Sequence, residues 1–270
     1  MLKKIIKPYQ GLSKEIWFMA LTMLINRAGA MVVPFLSLYL TNFLEFSLEN
    51  VGWIMSCYGF GSVAGVFIGG KLADKIGYYK VMYMSLLGTG LVFFGIQFIT
   101  DFYSLCIGVF ILTIVADMFR PAVWVALDDY SEEDNRTRSV TLIRLAINLG
   151  WSMGPAIGGL LITYMSYQSL FWVDGLTCII AGIVIIRFLR QKSQVTTKHK
   201  QASLPKLSPY KDGRYLIFWF AMFLIAFTFM QYFSTIPLYY SQRLGMDEDG
   251  IGLMLAMNGL LIFLLEMPIV

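Results

Sequence analysis

A chain of 270 residues that is 57% hydrophobic and only 14% charged cannot cover itself with a polar shell, since soluble domains carry about 25% charged residues. The net charge of +4 is too small and too scattered to mark a nucleic-acid partner. Three cysteines (Cys57, Cys106, Cys178) fall in apolar runs without metal or disulfide spacing, and the single histidine, His199, lies in a polar stretch. Together these argue against a metal centre, a cofactor site or a catalytic triad, so the chain is not read as an enzyme.

In chain order, the basic start Met1 to Glu15 is followed by an apolar run from about 17 to 40. That run exceeds a signal-peptide core and has no small-residue cleavage site at its end, so it reads as a retained helix. Further runs follow at about 50–70, 79–99, 103–127, 139–164, 168–189, 214–240 and 249–270. A helix of roughly 20 apolar residues crosses the ~30 Å hydrocarbon layer. Backbone groups must be satisfied internally there, which leaves helices or closed barrels, and no period-2 alternation supports a barrel. The expectation is an all-α polytopic membrane protein with eight crossings of a lipid bilayer.

The connections alternate in charge. Seventeen of the 21 Lys and Arg residues fall at the N-terminus, near Lys71, Lys75 and Lys80, near Arg136 and Arg138, or in the segment from Arg187 to Arg214. The other set of connections carries Arg243 with Glu45, Glu49, Asp101, Asp247, Glu248 and Asp249. By the positive-inside rule the N-terminus is expected on the cytoplasmic side of an inner membrane. The polar segment 190–213, with Pro205 and Pro209, separates six spans from two. Val51-Gly52 through Gly59 aligns without gaps on Ile251-Gly252 through Gly259, and Pro34-Phe35-Leu36 meets Pro237-Leu238-Tyr239. A repeat restarting after a linker suggests two parallel six-helix halves. The expected organisation is a six-helix bundle over 1–189, a cytoplasmic linker over 190–213, and the first two helices of a second bundle over 214–270.

After the second span comes Gly70-Lys-Leu-Ala-Asp74-Lys75-Ile-Gly77-Tyr78-Tyr79-Lys80. This resembles the signature loop of the major facilitator superfamily, with tyrosines at two usually basic positions. The resemblance implies a tight turn made by the glycines and a charged latch of Asp74, Lys75 and Lys80, joined by Arg136, Arg138, Asp128 and Asp129. The fifth span reads Asn148-Leu-Gly150-Trp-Ser-Met-Gly154-Pro155-Ala-Ile-Gly158-Gly159. It resembles the motif of the multidrug-efflux-type antiporter branch. Independently of any family, glycines at four-residue spacing let another helix approach closely, and Pro155 removes a donor. Gly61, Gly65 and Gly69 form a similar face on the second span. A weaker resemblance to proton-coupled peptide transporters rests on Asn26-Arg27 and Asn148, although Met23 and Asn26 stand where that family has glutamates. The implied fold is that of the major facilitators, with one complete half and two helices of the second. At the repeat offset the last four helices would follow position 270, so a missing C-terminal four-helix segment is expected as a partner.

Charges inside spans are costly and mark candidate sites. Arg27 and Asp117 each lie about ten residues from the basic end of their span, ~15 Å deep. Arg120 is one turn from Asp117, and Arg144 enters from the same end of the fifth span. The expectation is a central cluster of Arg27, Asp117 and Arg120 with Arg144 close by, in which Asp117 carries the proton; a structural ion pair is the alternative. Glu266 and Asp174 are other candidate acids. The leading function is secondary transport, as proton-coupled efflux of a small organic or drug-like solute. Proton-coupled uptake of peptides or other small solutes is the alternative within that class. A truncated or split chain without activity of its own is the reading from another class. No phosphate-binding loop supports direct use of ATP.

Overall fold

The computed structural model describes residues 11–189 and 211–269, and for 263–269 the backbone alone. The linker residues from 190 to 210, His199 among them, and the side chain of Glu266 lie outside the described residues. The helices are α1 (Lys14–Ala28), α2 (Val32–Leu38) with a π-helical turn at Tyr39–Phe43, α3 (Leu48–Ile76), α4 (Tyr78–Ile96), α5 (Phe102–Asp117), α6 (Phe119–Tyr130), α7 (Arg136–Tyr164), α8 (Gln168–Phe188), α9 (Gly213–Leu244) and α10 (Glu248–Ile269). Seven stretches are long and apolar enough to cross a membrane, and α10 is the eighth expected span. Large apolar side chains point outward from them, including Trp53, Phe60, Phe67, Leu91 and Ile107. Such a surface suits lipid, as expected for a multi-pass membrane protein.

The first and fourth spans, expected as continuous helices, are each broken in two. Both breaks have the same origin. A helical proline loses its own N–H bond and its ring clashes with the carbonyl four residues earlier. For Pro34 that residue is Ala30, between α1 and α2; for Pro121 it is Asp117, where α5 gives way to α6 at Met118. Each proline then sits third in the restarted helix, where an N–H would have no partner anyway. Pro155 and Pro237 lie inside helices that stay continuous. The repeat partners Pro34 and Pro237 therefore differ in effect.

Breaks inside a membrane expose backbone groups that neighbours must satisfy. Asp174 of α8 accepts hydrogen bonds from the amides of Met31 (2.9 Å) and Val32 (3.0 Å), capping α2. Ser85 of α4 donates to the carbonyl of Val115 near the end of α5.

Glycine faces set the close contacts. A Cβ at Gly65 would stand 2.5 Å from the carbonyl oxygen of Ile114, and one at Gly69 2.5 Å from Cα of Met118. The second-span glycines thus pack backbone to backbone on the fourth span. Helix α7 has two small-residue faces. Gly150, Gly154 and Gly158 abut the first span around its break, with a Cβ at Gly150 falling 2.6 Å from Cβ of Arg27. Gly159 lies against Glu248 and Asp249, while Gly252 and Gly259 of α10 approach Pro155 and Ser152. By contrast Gly52 and Gly59, the repeat partners of Gly252 and Gly259, meet open space.

The turn between α3 and α4 corrects one expectation. Gly70 does not turn: it lies inside α3, and a Cβ there would meet nothing within 4 Å. Gly77 alone makes the turn, with φ of 93°, a region that disfavours a side chain. Gly65→Ala should therefore lower stability by about 1–3 kcal/mol through overpacking, whereas Gly70→Ala should not lower it. Thermal unfolding in detergent would compare the two; equal melting points would refute the packing argument.

Core side chains form two clusters. One, nearer the acidic connections, contains Phe35, Leu38, Tyr39, Leu105 and Phe171. The other, nearer the basic connections, contains Ile16, Met19, Met82, Ala122 and Ile143. Helix α10 lies along α7, and α9 meets α2 near Pro237, which is buried; positions 213–230 of α9 are exposed throughout.

Candidate functional site

The two helix breaks lie side by side at the level of the midspan charges. They border a cavity of about 80 Å³, counted as space open to the centres of water molecules. Its wall includes Asn26, Arg27, Tyr58, Phe93, Asp117, Arg120 and Asp174. Six helices supply these residues, so no short motif contains the site.

Asp117 is the last residue of α5 and Arg120 the second of α6, so the break separates the two members of an ion pair. Arg120 Nε lies 2.7 Å from Asp117 Oδ1. The side chain of Asp117 is 9% exposed and that of Arg120 50%. Ser62 of α3 donates to the other oxygen of Asp117. Taking a carboxylate out of water costs several kcal/mol, and a single ion pair offsets this incompletely. Stability alone is a weak reason for an ion pair here.

Arg27 is the penultimate residue of α1, just before the first break. Its Nε is buried without a hydrogen-bond partner, and it forms no salt bridge among the described residues. Its guanidinium carbon sits 5.9 Å from the ring centre of Trp151 on α7, within cation–π range. Trp151 contacts Phe233 of α9 with ring centres 5.0 Å apart, linking the site to the seventh span. Asn26 donates to the sulfur of Cys178 at 3.5 Å.

The structure thus brings Arg27, Asn26, Asp117 and Arg120 to one cavity. Arg144 is exposed, and neither it nor Asn148 is among the residues lining the cavity wall. Asp174 reaches the cavity wall with its carboxylate engaged in capping α2. Ser62, Tyr58 and Trp151 were missed in the sequence, where a serine, tyrosine or tryptophan in an apolar run carries no distinguishing signal.

At the basic end the expected charge latch is arranged differently. Asp74 is exposed and makes no salt bridge among the described residues. Arg136 pairs with Asp128 at 2.7 Å, with both side chains more than half exposed, a geometry worth at most ~1 kcal/mol. Tyr78, at a position usually basic in the signature loop, is buried, donates to Asp129 and stacks edge-on against Tyr130. At the acidic end, Tyr167 donates to Glu248 at 2.6 Å, joining the connection before α8 to the start of α10. Burial, and then the bond to Glu248, push the Tyr167 phenol above its ordinary range.

Broken membrane helices around a midspan cavity, with glycine faces between neighbouring spans, define a polytopic α-helical membrane protein. Residues 16–270 match the profile of the Major Facilitator Superfamily, and the chain belongs to that family. It is 26% identical to the uncharacterised MFS-type transporter YqjV of Bacillus subtilis (strain 168), over 98% of this chain and 66% of that protein. It is 24% identical to a Na(+), Li(+), K(+)/H(+) antiporter of Planococcus maritimus, over 90% of this chain and 65% of that one. It is 26% identical to the class H tetracycline resistance protein of Pasteurella multocida, over 93% and 64% respectively. The chain spans about two thirds of the length of these relatives.

Proposed function

We propose that this chain contributes the solute and proton pathway of a proton-coupled secondary transporter, working by alternating access as an efflux antiporter for a small organic or drug-like solute. The observation that carries this is the Asp117–Arg120 pair set across a helix break, beside a midspan cavity that also holds Arg27. A carboxylate so placed can exchange a cation partner for a proton as the helices on either side of the break move. Antiport and efflux draw support from relatives whose names give cation/proton antiport and tetracycline resistance. The fifth-span glycine faces, packed on the first and eighth spans, suit helices that slide or rock. The basic end is assigned to the cytoplasm of an inner membrane by its excess of Lys and Arg. Residues 1–189 act as one six-helix bundle, 190–213 as the linker and 214–270 as the start of the second bundle. The latch residues Gly70, Asp74, Lys75, Gly77, Lys80 and Arg136 gate the basic end, with Tyr78 replacing part of the charge. No covalent step is assigned.

A second reading is uptake of a peptide or other small solute, favoured by two arginines at the cavity. The test is a transport assay on the full-length gene product in vesicles, including any in-frame sequence downstream of codon 270. A neutral lipophilic dye and a labelled peptide are compared with and without a pH gradient. Gradient-driven dye export supports efflux, peptide accumulation supports the second reading, and movement of neither refutes transport of both classes.

A further inference from the structure

We infer that the cavity binds a small organic carboxylate, and that Arg27 receives its anionic end; this rests on the transporter reading and names its solute class. Two carboxylates and two guanidiniums border the cavity, and three of the four groups are already engaged. Asp117 is held by Arg120 and Ser62, and Asp174 by the amides of Met31 and Val32. Arg27 is the exception: its Nε is buried without a partner and it forms no salt bridge among the described residues.

Arg27 as a whole is partly exposed, but its Nε is cut off from water, and a buried donor of a charged group left without an acceptor is unfavourable. The Trp151 ring beneath it compensates only in part, since a cation–π contact supplies no hydrogen-bond acceptor. Arginine's planar fork of donors matches a carboxylate, which accepts two bonds at once. A carboxylate guest therefore completes an incomplete site. A cationic guest would meet two guanidiniums, with both acids occupied. The remainder of the guest would lie against Val33, Leu86 and Phe93, which line the same cavity and offer apolar surface.

The test uses the full-length product in proteoliposomes and three radiolabelled probes: benzoate, 3-phenylpropionate and hexanoate, each paired with its neutral amide. At least one carboxylate should bind about tenfold or more tighter than its amide, one power of ten in Kd. Arg27→Gln should level that preference, and Arg27→Lys should retain it in part. Binding of no carboxylate, equal binding of the amides, or a preference that survives in a folded Arg27→Gln protein overturns the assignment. If Arg27→Gln does not melt cooperatively, the site is located through tryptophan emission. Benzoate should quench wild-type protein and not Trp151→Phe, and an unchanged quench in that variant overturns the assignment. Carboxylate binding without movement of any solute would sink the transporter reading and leave this one standing. Gradient-driven dye movement without carboxylate binding would do the reverse.

Discussion

Asp117→Asn is expected to abolish concentrative, proton-driven transport while leaving downhill solute exchange. Asparagine has nearly the same volume as aspartate; its amide oxygen can accept from Arg120 while its amide N–H donates to the Ser62 hydroxyl oxygen. The cavity should therefore survive. What is lost is the group that can hold or release a proton. Asp117 and Arg120 belong to different helices, so the pair can report on the angle across the break. Protonation of Asp117 removes the attraction to Arg120, and asparagine fixes the neutral state. Flux driven by a pH gradient should fall at least about tenfold, the lower end of what a positioned proton-transfer group contributes. Exchange of labelled for unlabelled solute at equal pH should persist. The measurement is flux in proteoliposomes under the two regimes. Undiminished gradient-driven flux would transfer the coupling role to another acid, and loss of both activities with an intact melting transition would make Asp117 a solute ligand instead.

Asp174→Ala should be the most destabilising of the single changes considered. The carboxylate caps α2 at its broken end, bonding two backbone amides in a water-poor setting. Removing it strands both donors, at about 1–3 kcal/mol each, so a loss of about 2–6 kcal/mol follows. Asp174→Asn keeps one acceptor oxygen and should lose about half as much. Unfolding in a graded denaturing detergent would rank wild type, Asp174→Asn and Asp174→Ala. An alanine protein as stable as wild type would mean that water or another group satisfies Met31 and Val32. The same series separates the role of Asp174 from that of Asp117. A structural cap changes stability together with every transport mode, whereas the coupling acid should change only the gradient-driven mode.

The legibility of the fold follows from the solvent. Apolar length is a property of consecutive residues, so each span could be read from its own run within a few residues. The glycine faces were equally local: Gly61, Gly65 and Gly69 could be read as a contact surface before any partner was known. That the partner is the fourth span is a tertiary fact. The helix breaks were in principle readable, because Pro34 and Pro121 stand four residues after Ala30 and Asp117. Yet Pro155 and Pro237 have the same chemistry in continuous helices. The difference is consistent with support from neighbours: Asp174 caps one break and Ser85 satisfies a carbonyl at the other.

Arg27 and Asp117 drew attention from sequence because a charge in an apolar run is expensive wherever it occurs. Their relation to one another could not be read that way. Depth along a span gives one coordinate, and two residues at equal depth can face lipid, a packed interface or a common cavity. Arg144 shows the limit, since it has a suitable span yet is exposed and is not among the residues lining the cavity wall. By itself, then, the sequence determined the membrane-spanning apolar runs, the separation of basic from acidic connections, and the small-residue faces, because each depends on local composition and spacing. Only the tertiary structure decided which charges meet and which backbone groups are patched. It also left one guanidinium without an acceptor among the described residues, because hydrogen-bond satisfaction across spans depends on which helices are neighbours and how they are turned.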